Sequence, residues 1–128
     1  MEVFSKSDIG LVRTQNQDDF RFGVISPSCV WAVVCDGMGG ANGGNIASAT
    51  AVEYISTKIT DLYKDDMTKE QIGELMAEIV VNANMKIFEL STKDPELTGM
   101  GTTCEFVFVK DTTVHVVHVG DSRTYAIR

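Results

Sequence analysis

At 128 residues, with 44 % hydrophobic side chains, 23 % charged side chains and only 2 prolines, the chain has the composition of one compact globular domain. That balance argues against a disordered tail, a collagenous repeat or a disulfide scaffold. Lys and Arg number 11 against 18 Asp and Glu, and the net charge of -7 repels phosphate backbones and anionic lipid, which makes nucleic acid and membrane surfaces poor partners.

In chain order, Met1 to Asp8 lack the basic start and apolar stretch of a signal peptide. Residues 20–25, FRFGVI, then alternate as a strand does, SPS at 26–28 breaks the pattern, and VWAVVC at 30–35 is apolar throughout. This reads as a hairpin whose second strand is buried on both faces. The same run is the longest apolar stretch and is far too short to cross a bilayer, so the sequence predicts a cytoplasmic protein. The glycines between Gly37 and Gly44 are expected to form a loop. Val52, Ile55, Ile59 and Leu62 follow at helical spacing, with Ala47, Ser48 and Ala51 letting that helix lie close to a sheet.

A second helix is predicted from Thr68 to about Leu90. Ile72, Leu75, Met76, Ile79, Ala83, Ile87 and Leu90 form one stripe, and Thr68 with Gln71 fits a capping box. From Thr102 the period changes to two, giving TTCEFVFV, a turn at 110–112 and TVHVVHVGDSRTYAIR, read as two or three antiparallel strands. Cys29, Cys35 and Cys104 show no CxxC spacing and are expected to be buried reduced thiols. The element order predicts an α+β fold. Two helices in one hairpin cover only one face of a sheet, so mostly apolar strands leave the other face wanting cover.

Three stretches can carry chemistry. In CDGMGGANGG at 35–44, a buried strand ends in Asp36 and the chain runs directly into glycines, a setting that holds a carboxylate rigidly and lets backbone approach a metal or a phosphate. The alternative is a glycine-rich turn with Asp36 as a helix cap. No Gly-Lys-Ser/Thr follows and no βαβ unit surrounds the stretch, so neither a P-loop nor a dinucleotide fingerprint fits. In SDIGLVRTQNQDDF at 7–20, Asp18 and Asp19 stand just before a strand and are hard oxygen ligands suited to Mg2+ or Mn2+. Arg13 can hold a phosphate by two parallel hydrogen bonds or can form a surface ion pair. In HVGDSR at 118–123, Asp121 is costly in an apolar strand unless it pairs, caps or binds a cation. His115 and His118, three apart on a strand, face opposite sides and make a poor zinc pair.

These motifs, with GMGTT at 99–103 between them, resemble in order those of the protein phosphatase 2C family, the metal-dependent PPM serine/threonine phosphatases, and in particular its compact bacterial members. The resemblance covers nearly the whole chain. It implies an α-β-β-α sandwich of which residues 1–128 form the N-terminal portion of a single catalytic domain, incomplete without a C-terminal half. It further implies two Mn2+ or Mg2+ ions bridged by a water and by Asp36, with the Gly37 carbonyl bound directly or through the metal shell. Asp18 would hold metal waters, Arg13 would clamp the substrate phosphate, and Asp121 would help bind a third, looser ion. The implied reaction is in-line attack of the metal-bridging hydroxide on phosphoserine or phosphothreonine, without a phosphoenzyme. Implied partners are phosphorylated Ser/Thr proteins and a cognate protein kinase, in signalling.

Several positions depart from the family pattern. Gln17 stands where many relatives carry Glu, Ala41 where bacterial relatives often carry His, and Met38 where some carry a His suspected as general acid. The proton for the leaving serine must then come from a metal-bound water or from outside this sequence. The family's later SDG and DN motifs, which supply further metal-binding aspartates, do not occur before Arg128. The isolated chain is therefore expected to be inactive or very weak, and to self-associate or pair with the missing half. The competing readings are a catalytically inactive phosphopeptide or metal binding module, and a purely structural role for the motifs.

Overall fold

The computed structural model describes residues 18–39 and 43–120, Asp18 by its backbone alone. Strands β1 (Asp18–Ser26) and β2 (Cys29–Met38) form the expected hairpin, followed by helices α1 (Gly43–Leu62) and α2 (Lys69–Lys93). A 3-10 turn at Pro95–Leu97 leads to β3 (Gly101–Thr102), β4 (Cys104–Lys110) and β5 (Thr113–Val119). The sheet is antiparallel in the order β1-β2-β4-β5, with β3 paired to the end of β2. The α+β architecture expected from the element order is the one observed.

Both helices lie on one face of this sheet. Trp31, Val33 and Cys35 of β2 and Phe106 and Phe108 of β4 alternate toward that face, where they join Ala51, Val52, Ile55 and Ile59 of α1 and Ile72, Met76 and Ile79 of α2 in one core. The helical stripe read from the sequence is the buried face of α2, and Leu75 and Leu90 complete its edge. Its start is fixed as the capping box requires: the Gln71 amide donates to Thr68 Oγ1 at 3.2 Å, and the Thr68 amide donates to Gln71 Oε1 at 2.9 Å. A two-residue turn joins β4 to β5, with Asp111 at φ 55, a left-handed conformation that Asp tolerates better than most side chains.

Four expectations are corrected. β1 begins at Asp18, so Asp18 and Asp19 lie inside the strand rather than before it. β2 continues past Asp36 to Met38 because β3 supplies a partner for Gly37 and Met38. Asp36 is thus a strand residue and not a helix cap. Gly43 and Gly44 belong to the first turn of α1 rather than to a loop. Lastly, β2 is not buried along the whole of both faces: Val33 is 0 % exposed and Val30 is buried, while Val34, on the same face as Val30, is 45 % exposed. Phe22, Val24, Val114 and Val116 are exposed as well. They alternate with the core positions, so among the described residues this face of the sheet has no covering layer.

Candidate functional site

The site begins with register. Pairing of β1 with β2 sets Asp18 directly opposite Asp36. Like charges at directly opposed positions of an antiparallel pair are destabilising, and positive charge nearby offsets that cost.

Asp36 is fixed from the other side by Thr103, the residue between β3 and β4. The Asp36 amide donates to Thr103 Oγ1 at 3.1 Å, and the Thr103 amide donates to the Asp36 carbonyl at 2.9 Å. Thr103 is buried, and its hydroxyl holds the backbone that carries the carboxylate. Two glycines let other elements close in on this rung. A Cβ on Gly37 would stand 1.9 Å from the Gly44 carbonyl oxygen, so only glycine lets the start of α1 rest against β2. Gly120 has φ +91, and a Cβ there would stand 2.6 Å from Thr103 Cγ2. The aspartate-glycine stretch, GMGTT and Gly120, distant in sequence, therefore meet around Asp36.

Two rungs along, Glu105 of β4 faces Val34 on one side and His118 of β5 on the other. Glu105 is 6 % exposed, and its Oε2 is hydrogen-bonded to His118 Nδ1. His115 lies on the opposite, helix-covered face beside Phe108, with ring centroids 6.4 Å apart. Burial, with Lys69 nearby, pushes the His115 pKa down. The two histidines point to opposite faces, as their spacing requires. Replacing His118 by alanine takes a hydrogen bond from a buried carboxylate, and the expected loss is about 1–3 kcal/mol in urea unfolding.

Behind Asp36, Cys35 and Cys104 sit side by side in the core. The neighbouring Cys104 thiol, together with burial, pushes the Cys35 pKa up, while the interaction with Cys35 pulls that of Cys104 down. All three cysteines are free and buried, as expected.

Of the residues singled out in the sequence, Asp36 and Gly37 are brought together with Thr103, and the backbone of Asp18 lies opposite. Arg13, Gln17, Ala41 and Asp121 lie outside the described residues. Met38 is exposed at the end of β2 beside Gly101 and has no proton to give. Among the described residues, no three His, Cys, Asp or Glu side chains gather closely enough to hold a metal ion, so a cation at Asp36 needs donors beyond them. Among them too, no helix is long and apolar enough to cross a membrane. Thr103 is the residue that sequence reasoning passed over. It lies in the GMGTT motif, but its role depends on a pairing between positions 67 apart.

Residues 12–128 match the family model described as protein phosphatase 2C. The chain is 36 % identical over 128 residues to protein phosphatase PhpP of Streptococcus pneumoniae, a match that covers 100 % of this chain and 51 % of PhpP. Among solved structures, serine/threonine phosphatase Stp1 from Staphylococcus aureus superposes with a TM-score of 0.83 at 27 % identity, over 96 % of this chain and 48 % of that one. The S. agalactiae serine/threonine phosphatase gives 0.79 at 34 % identity, over 92 % and 48 %. The chain spans about half the length of the curated relatives it matches.

Proposed function

This chain belongs to the protein phosphatase 2C family, and from that premise we propose that it forms the N-terminal portion of a single metal-dependent catalytic domain hydrolysing phosphoserine and phosphothreonine in proteins. The observation that carries the reading is the rung in which Asp18 opposes Asp36, with Thr103 and Gly37 fixing the backbone beside it.

That donor set fits hard divalent cations. Carboxylate and backbone carbonyl oxygens are the ligands Mn2+ and Mg2+ prefer, and a cation relieves the repulsion between the two aspartates. Asp36 and the Gly37 carbonyl would hold two ions, Asp18 would orient their waters, and Asp121 would hold a third. Bound there, the ions supply an acidified water and offset charge building on the phosphoryl oxygens. Arg13 would bind the substrate phosphate through two parallel hydrogen bonds and orient it for in-line displacement. The side chain of Met38 protonates nothing, so the proton for the leaving hydroxyl would come from a metal-bound water or from outside this sequence. The same proposal carries phosphorylated Ser/Thr proteins as substrates, an opposing protein kinase, and a cytoplasmic signalling role, on the likeness to bacterial members of the family.

The test is titration of the chain with Mn2+ by calorimetry, alongside hydrolysis of a phosphothreonine peptide. Wild type should bind Mn2+ weakly, and Asp36→Asn should lower the affinity by at least about ten-fold, because affinity for hard cations follows ligand charge. Any hydrolysis should require Mn2+ and disappear in the same variant. Unchanged Mn2+ affinity in Asp36→Asn, or hydrolysis that survives it, overturns the reading.

A further inference from the structure

We propose that Cys35 and Cys104 form a reversible thiol–disulfide pair that closes across β2 and β4 when the protein meets hydrogen peroxide. The inference does not rest on the phosphatase reading; it rests on sheet register. Val34 pairs with Glu105, and the Thr103 amide donates to the Asp36 carbonyl, so Cys35 and Cys104 occupy the rung between. Hydrogen-bonded and non-hydrogen-bonded pairs alternate along an antiparallel ladder. Since Asp36 and Thr103 share a ladder bond, the cysteines form a non-hydrogen-bonded pair. In such pairs the Cα atoms lie about 4.5 Å apart with the side chains closest. A disulfide needs about 4.4–6.8 Å between Cα atoms. Both side chains belong to the same core on the helix-covered face of adjacent strands, so closure demands little movement of the backbone.

Access comes from one side. Cys104 lines a cavity of about 270 Å3 between the helices and the end of the sheet. Val81, Met85 and Val119, which also line it, are exposed, so the cavity reaches solvent and admits a molecule as small as peroxide. Cys35 is 0 % exposed and meets the oxidant only through Cys104. The order of events follows. The Cys104 thiolate attacks one peroxide oxygen, the O–O bond breaks, and water leaves after protonation, giving a sulfenic acid. The Cys35 sulfur then attacks the Cys104 sulfur, an S–S bond forms, and the sulfenic oxygen leaves as a second water. Two thiols and one peroxide thus give one disulfide and two waters. An added dithiol reverses the change. Cys29, at the far end of β2 opposite Lys110, has no thiol across from it and takes no part.

The test treats the folded chain with hydrogen peroxide, quenches it, unfolds it in guanidinium and labels free thiols with a maleimide. The expected result is labelling of Cys29 alone, an intact mass lower by two hydrogens before labelling, and a Cys35–Cys104 cross-linked peptide that dithiothreitol abolishes. Cys104→Ser and Cys35→Ser should each lose the cross-link, while Cys29→Ser keeps it. Because the first readout is made on wild type, a variant that folds poorly does not decide the outcome. Maleimide labelling of both Cys35 and Cys104 after peroxide, their separate conversion to sulfinic or sulfonic acids, or a cross-link to Cys29 overturns the proposal.

Discussion

Gly37→Ala should destabilise the chain by about 3 kcal/mol and lower its Mn2+ affinity by at least about ten-fold. The new methyl group would meet the Gly44 carbonyl oxygen at 1.9 Å and the Gly44 carbonyl carbon at 2.5 Å. Both atoms are backbone, so no rotamer relieves the clash. Either α1 lifts from the sheet or β2 twists at the residue after Asp36, and each moves the carboxylate relative to its neighbours. Gly73 supplies the contrast. It lies in α2 with nothing within 4 Å of an added Cβ, so Gly73→Ala should stabilise by up to about 1 kcal/mol and leave Mn2+ binding alone. Urea unfolding and Mn2+ calorimetry on both variants check the pair of outcomes. A Gly37→Ala protein as stable as wild type would show that the close approach of α1 is not needed.

Phe108→Ala should cost about 3–5 kcal/mol with no change in the Mn2+ affinity of the folded chain. The ring is 0 % exposed, lies 4.8 Å from the Tyr63 ring, and pairs across the sheet with Trp31. Truncation removes buried apolar area and leaves a cavity that a rigid sheet and two helices cannot fully close. Phe108 sits toward the end of β4 away from Thr103, so the loss is one of stability alone. If Phe108→Ala unfolds the chain outright, Phe108→Leu should show the same separation at smaller cost. Equal losses in stability and in metal affinity would mean that the core and the site are not separable in this way.

What the sequence reveals here is what local chemistry decides. The capping box at Thr68 and the stripe of α2 are set by residues a few positions apart, and both are read directly. The edges of β1 and α1 are not. Carboxylates are poor strand formers, so Asp18 and Asp19 read as lying before β1, yet pairing with Asp36 and Cys35 carries the strand through them. Glycine is a poor helix former, so Gly43 and Gly44 read as loop, yet docking against Gly37 draws them into α1. An unbroken apolar run in β2 suggests burial on both sides, but composition does not tell which face has a covering layer, and Val34 stands exposed. Asp36 was visible as a candidate through its glycines. Thr103 and the Cys35–Cys104 pair were not, because their significance lies in the β2–β4 register, which no local pattern encodes.

The hydrogen bond between Asp36 and Thr103 spans 67 positions, and both helices lie inside that loop. The helical hairpin makes near-neighbour contacts and can form early, whereas the β2–β4 pairing must first close the long loop around it. The rung that holds Asp36 is thus among the last parts of the sheet to assemble. Substitutions there should act mainly on the rate of unfolding rather than of folding. A nascent chain cannot set Asp36 in its final surroundings until β4 has emerged from the ribosome, so the metal binding proposed for Asp36 would follow synthesis of Thr103 and would not guide the folding that precedes it.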